Sequence, residues 1–392
     1  MKSVEIESQR RNLTLLAYFL FIFNGMLFIS TGVLMESISV DLKVRVAEVG
    51  LALFIMSVSR TGIFFLTSTI LKRISMKTAL TISLIILGVS SLVIINCHSL
   101  WQFTLGCILM GIGSSFTITI PNYIIVSLYI KIEKFKKLNI LNATFAIGGT
   151  LSPFIVGSLL QINVEWRVFL WFVLGGSLFF IIWGMKSHFP KKSENSMNDF
   201  TQKKLRWNFS IYLIATAMLC YVISESTFCL WAVTFFQLKY DYNIFFASSL
   251  LTLYWLFITI GRSTIYLVSQ KIRIDKYIGI MGLLSIISYS MIFLNHIPLT
   301  LLCTVALLGL SHSTLYASIL SYGTDQVSSA NPSVMMFFVI CGSTGGISAP
   351  FITSIIENYT SVFYALFLGN IAMIILFVAI YFTKFDKRNP VL

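Results

Sequence analysis

The residues most able to do chemistry in this chain are polar groups embedded in long apolar runs. Glu225 is the clearest, in Cys220-Tyr221-Val222-Ile223-Ser224-Glu225-Ser226. Helical spacing puts Tyr221, Ser224, Glu225 and Phe228 on one face. A charge at mid-bilayer costs about 2.5–3.5 kcal/mol on insertion scales, so a carboxyl there needs a reason. An apolar setting disfavours the ionised form, which makes such a carboxyl a reversible proton carrier. The competing reading is a neutral glutamic acid hydrogen-bonded to a neighbouring helix. A second polar run is Ser311-His312-Ser313-Thr314-Leu315-Tyr316. His312 and Tyr316, at i and i+4, would share a face suited to solute binding or proton relay. A histidine packed by hydrogen bonds is the alternative. Asn122 and Asn142 are further candidates to line a polar cavity, or else to bond helix to helix.

Two arginines, Arg60 and Arg262, also fall inside apolar runs. Their long stems can reach toward the membrane surface or a helix end, which would lock two helices in place. A direct gating or substrate role is the other possibility. Glu36, Asp325 and Glu357 lie near the ends of apolar runs, where solvation accounts for them. The elements Gly148-Gly149-Thr150-Leu151-Ser152-Pro153 and Gly345-Gly346-Ile347-Ser348-Ala349-Pro350 nearly repeat each other, 197 residues apart. Small residues allow close helix approach and proline bends a helix, so these segments read as contact and hinge helices between two halves. Ser59-Arg60-Thr61-Gly62-Ile63 and Gly261-Arg262-Ser263-Thr264-Ile265 echo each other at nearly the same offset.

The elements that must position these groups are membrane helices. Hydrophobic residues make up 57% and charged residues 11% of the 392-residue chain. Soluble domains carry about 25% charge, so the bilayer must serve as solvent. Twelve apolar runs of spanning length are expected at 13–35, 46–70, 78–97, 100–130, 139–161, 167–186, 209–235, 244–269, 276–295, 299–322, 333–357 and 362–383. This defines an all-α polytopic membrane protein with two six-helix bundles, 1–186 and 209–392, joined by a polar, basic linker at 187–208. With both termini inside, 22 Lys and Arg fall on the inner side and 4 on the outer side. That bias assigns the net charge of +13 to orientation and argues against nucleic acid as a partner. The six cysteines form no CxxC pair or metal-like cluster and read as small, reduced core residues. Nothing in the chain calls for a cofactor or a metal, and no nucleophile motif or phosphate loop marks an enzyme.

Two related halves in a strongly apolar chain point to alternating access. The twelve spans and basic central loop resemble the major facilitator superfamily, and finer motifs resemble its fucose:proton-symporter-like branch. Span 7 of that branch reads Tyr-Val-x-x-Glu and then an aromatic, matching Tyr221, Val222, Glu225 and Trp231. Span 8 carries an aromatic pair and then Gly-Arg, matching Tyr254, Trp255, Gly261 and Arg262. Span 5 opens with Leu-Asn, followed by Phe, Gly and Pro, matching Leu138, Asn139, Phe145, Gly148 and Pro153. Within the branch, Leu219-Cys220-Tyr221, Val164-Glu165-Trp166 and the segment from Tyr316-Ala317-Ser318-Ile319 to Gln326 are similar to TsgA-like proteins.

The chain also departs from the branch. Its sugar symporters use acids in spans 1 and 4, where this chain offers Thr117 in span 4 and only Glu36, near the outer end, in span 1. The loop between spans 2 and 3, Leu71-Lys72-Arg73-Ile74-Ser75-Met76-Lys77, lacks the superfamily's usual Asp. Fucose transport therefore does not carry over. The resemblance implies a monomeric secondary transporter of a small polar solute in a bacterial inner membrane, with any proton coupling resting on Glu225. An exporter of amphipathic or toxic compounds, or a non-transporting membrane sensor, are the rival expectations.

Overall fold

Lipid offers no hydrogen bonds to a bare backbone, so a chain this apolar must satisfy its peptide groups within helices. The computed structural model describes residues 2–189, 208–269, 273–295, 297–326 and 332–383. Among these there are thirteen helices and no strand. They are α1 (Lys2–Leu42), α2 (Val46–Arg73), α3 (Met76–Ile95), α4 (Leu100–Leu128), α5 (Lys131–Gln161), α6 (Val168–Lys186), α7 (Phe209–Tyr240), α8 (Ile244–Ser269), α9 (Ile274–Leu294), α10 (Pro298–His312), α11 (Leu315–Thr324), α12 (Pro332–Tyr359) and α13 (Val362–Phe382). They supply 12 segments long and apolar enough to span a membrane. Most of the expected 187–208 linker lies outside the described residues.

One expected span differs from its helices. The run 299–322 is not continuous: α10 stops at His312 and α11 starts at Leu315. The run is rich in hydroxyls that bond the backbone and compete with the helix. Ser311 Oγ donates to the Leu308 carbonyl at 2.8 Å, and Ser313 Oγ to Leu310 at 2.6 Å. The i, i+4 argument for a shared His312–Tyr316 face therefore fails at this break.

The helices gather into two compact units, Met1–Ser193 and Glu194–Leu392. In the first, α1 packs on α5, α2 on α4, and α3 on α4 and α6. In the second, α7 packs on α12, α8 on α10, and α9 on α10 and α13. The same pairing recurs, but α7 also packs broadly on α13, whereas α1 scarcely meets α6. The chain leaves α1 through Lys43 and α7 through Asp241, both left-handed at φ 56° and 55°.

The glycines of the repeated elements show what holds each unit. A Cβ on Gly148 would collide with the Ile22 carbonyl oxygen, and one on Gly345 with that of Leu219. These are equivalent positions, and each contact joins α5 to α1 or α12 to α7 within one unit. The close approach that the small-residue pattern assigned to the two halves is thus made inside each half. Gly346 meets nothing nearer than Val222 Cγ1 at 3.6 Å. Pro153 and Pro350 lie inside α5 and α12, which run on past them.

Candidate functional site

The break between α10 and α11 gives the second unit its polar centre. The last carbonyls of a helix lack intrahelical partners and must find others. Tyr221 on α7 reaches the His312 carbonyl oxygen at 3.1 Å, and Arg262 Nε on α8 donates to the Ser313 carbonyl at 3.1 Å. The same two side chains face Glu225. The Tyr221 hydroxyl lies 3.0 Å from Glu225 Oε1, sharing its one proton between the two acceptors. Arg262 Nη2 lies 4.0 Å from the same carboxylate oxygen. The ion pair is loose and partly open, with side-chain exposures of 30% for Arg262 and 19% for Glu225.

Around the pair the network is closed. Tyr221, Tyr254 and His312 are fully buried. The Tyr254 hydroxyl and His312 Nδ1 share a 2.7 Å hydrogen bond, while His312 Nε2 is buried without a hydrogen-bond partner. When Tyr254 donates to Nδ1, Nε2 must carry the proton. Tyr289 donates to the Ser224 carbonyl at 3.0 Å. The Tyr221 ring packs at 5.7 Å from His312 and 6.3 Å from Tyr316. Glu225, Tyr221, His312 and Tyr316 therefore come together across α7, α10 and α11. Sequence reasoning singled out Arg262 and Tyr254 but not their partners Glu225 and His312, because the contacts bridge helices and no spacing rule reaches them.

The first unit is arranged differently. Arg60 lies with its guanidinium carbon 3.8 Å over the Phe28 ring, and its Nη1 is buried without a hydrogen-bond partner. A desolvated cation–π contact contributes about 2 kcal/mol, less than the ~2.5–3.5 kcal/mol that a membrane charge costs. Nearby on α1, the Asn24 amide donates to the Thr117 carbonyl at 3.1 Å, and Thr117 Oγ1 donates back to Asn24 Oδ1 at 2.9 Å. Asn24 is a polar group of span 1 that the sequence reading did not single out. Its signal was an amide alone in Phe21-Ile22-Phe23-Asn24-Gly25.

The other candidates make local contacts. The Asn122 amide donates to Ile118 O at 2.9 Å, and that of Asn142 to Leu138 O at 3.1 Å, each on its own helix. Both lie in the first unit, and among the described residues neither bonds to another helix. Glu36 departs from the solvated reading, since its Oε2 is buried without a hydrogen-bond partner. A small cavity of about 30 Å³ in the first unit is lined by Ser30, Cys107 and Trp166 among others. Among the described residues, no three His, Cys, Asp or Glu side chains come together as metal ligands.

Twelve membrane helices in two like-packed units define a class of protein, and the family comparison agrees. The Major Facilitator Superfamily model matches residues 14–350, and the chain belongs to that superfamily. It is a multi-pass membrane protein and a solute transporter of this family. It is TsgA-like: a TsgA homolog of Buchnera aphidicola subsp. Baizongia pistaciae is 23% identical over 383 residues, covering 97% of each chain. A homolog from Yersinia enterocolitica is 22% identical, covering 98% of this chain and 99% of its own. Among solved structures, a bacterial homolog of the human lysosomal transporter Spinster superposes with a TM-score of 0.75 at 13% identity. That match covers 96% of this chain and 98% of the other. An alanine variant of the nucleoside transporter NupG superposes at 0.74, also at 13% identity, covering 95% and 99%. At such identity the two structures establish the fold.

Proposed function

We propose that the protein is a proton-coupled secondary transporter of a small polar solute, working by alternating access in a bacterial inner membrane. In this reading both termini are cytoplasmic and the protein acts as a monomer. The observation that carries it is the half-open Glu225–Arg262 pair within an otherwise closed polar network. When ionised, Glu225 is held by Arg262 and Tyr221. When protonated, it loses its Coulomb attraction to Arg262, and the guanidinium is left to other acceptors. One proton thus changes the charge of the site by a full unit, which is what coupling requires. Tyr221, His312 and Tyr316 would shape the solute side of the site, with Arg262 as its switchable cation. The family membership and the two like-packed units support the alternating-access part of the reading.

The test is proton movement in liposomes holding the purified protein, under an imposed pH gradient, with a panel of sugars, nucleosides and small organic acids. Solute-dependent proton movement that disappears in Glu225→Gln, while the variant still inserts and folds, is the expected result. Unchanged coupling in that variant overturns the role of Glu225.

A further inference from the structure

The two units repeat at the level of single contacts, and the repeat exposes one difference. The offset that relates Gly148 to Gly345, and Ile22 to Leu219, also relates Asn24 to Tyr221 and Phe28 to Glu225. A second contact repeats on the neighbouring helices. A Cβ on Gly111 of α4 would strike the Met56 carbonyl oxygen of α2, and one on Gly309 of α10 would strike that of Tyr254 on α8. In both units the next helix then sends an arginine to the repeat position on the first. Arg60 covers Phe28, and Arg262 faces Glu225. Measured from the glycine contacts, Arg262 starts about one helical turn further along its helix and reaches back.

The second unit therefore answers its arginine with a carboxylate, and the first answers with a ring. Among the described residues Arg60 makes no ion pair, and its Nη1 is buried with no acceptor. Arg60 and Phe28 are each only half-buried. The guanidinium thus keeps an unused donor, Nη1, against a flat aromatic wall. A planar carboxylate accepts from guanidinium donors in a fixed fork geometry.

We infer that Arg60 is an anion site in the first unit that takes the carboxylate of the transported solute, with Phe28 as the apolar wall beside it. The solute is then a small organic acid in its anionic form. This rests on the transport reading only in making the bound anion the cargo; binding itself is measurable without transport. Asn24 and Thr117 are engaged with each other, so they hold α1 against α4 beneath the site rather than contact the anion.

The experiment uses the full-length protein in lipid nanodiscs. Thermal unfolding midpoints are titrated with formate, acetate, lactate, succinate and benzoate, each against its neutral amide, and with inorganic phosphate. At least one carboxylate is expected to raise the midpoint at a concentration tenfold or more below its amide. Arg60→Gln should abolish that shift and Arg60→Lys should weaken it. Phe28→Glu gives the first unit the carboxylate that the second already has. It should occupy Arg60 from within, abolish the shift, and keep the protein folded. Three outcomes overturn the inference: no carboxylate outperforming its amide, phosphate alone acting, or binding unchanged in a folded Arg60→Gln or Phe28→Glu protein. Solute-dependent proton flux with a sugar or nucleoside, unchanged in Arg60→Gln, would sink this site and leave the transport reading standing. Carboxylate binding through Arg60 without flux of any solute would do the reverse.

Discussion

Glu225, Tyr221, Arg262 and His312 interact through one another, so substitutions among them should be non-additive. Arg262→Met leaves Glu225 without its cation, while Arg262→Met with Glu225→Gln removes both partners. A double-mutant cycle on unfolding in detergent should return a coupling of about 1 kcal/mol, at the low end for contacting charges because the pair is partly open. A coupling near zero would mean that the 4.0 Å approach has no energetic content. Tyr254 poses a sharper case, because it is fully buried and its hydroxyl hydrogen-bonds the His312 ring. Tyr254→Phe leaves both ring nitrogens of His312 buried and unpaired. Its expected cost is about 1–3 kcal/mol, read as a lowered unfolding midpoint. The additional variant His312→Phe should recover part of that loss, because an apolar ring needs no partner.

At the scale of elements, the units are built on close helix approach at a few glycines. Gly148→Ala must push α5 off the backbone of α1, and Gly345→Ala must push α12 off α7. Each should cost about 1–3 kcal/mol by overpacking and lower the folded yield. Gly346→Ala, with an ordinary contact at 3.6 Å, should be tolerated. Equal effects of all three would show that helix propensity, not packing, governs these positions. The first unit is also closed at one end by Arg167. Its guanidinium pairs with Asp41 at 2.8 Å and donates to the Ile95 and Cys97 carbonyls at 3.0 and 2.9 Å. It therefore joins the end of α1 to the C-terminal carbonyls of α3, where a cation is favoured. Arg167→Leu should speed amide hydrogen exchange around residues 94–98 and leave exchange in the second unit unchanged.

At the scale of the molecule, charge asymmetry and apolar surface set how the protein sits in lipid. Lys134 and Lys239 fall on opposite sides in the proposed topology. In a background freed of native cysteines, Lys239→Cys in intact cells should react with a membrane-impermeant maleimide. Lys134→Cys should react only after the inner face is opened. The reverse pattern would invert the orientation. The large exposed side chains, among them Phe65, Trp101, Trp171, Phe179 and Ile182, need no partner where lipid tails serve as solvent.

The amino-acid order alone determined the solvent, the number of spans, the two related units and the presence of a carboxyl, Glu225, inside a span. Each of these follows from local composition or from a repeat, and neither needs the chain to be folded. Glu225, Tyr221 and the glycines of the two elements were legible because helical periodicity and small-residue patterns act within a few residues. Tertiary structure decided who faces whom. It paired Arg262 with Glu225, set Arg60 over Phe28, joined Asn24 to Thr117 and split span 10 so that its freed carbonyls meet Tyr221 and Arg262. It also kept Asn122 and Asn142 on their own helices. Those outcomes depend on the azimuth and depth at which separate helices meet. Packing fixes these, and in a chain where nearly every helix is apolar all round, no one-dimensional pattern specifies them.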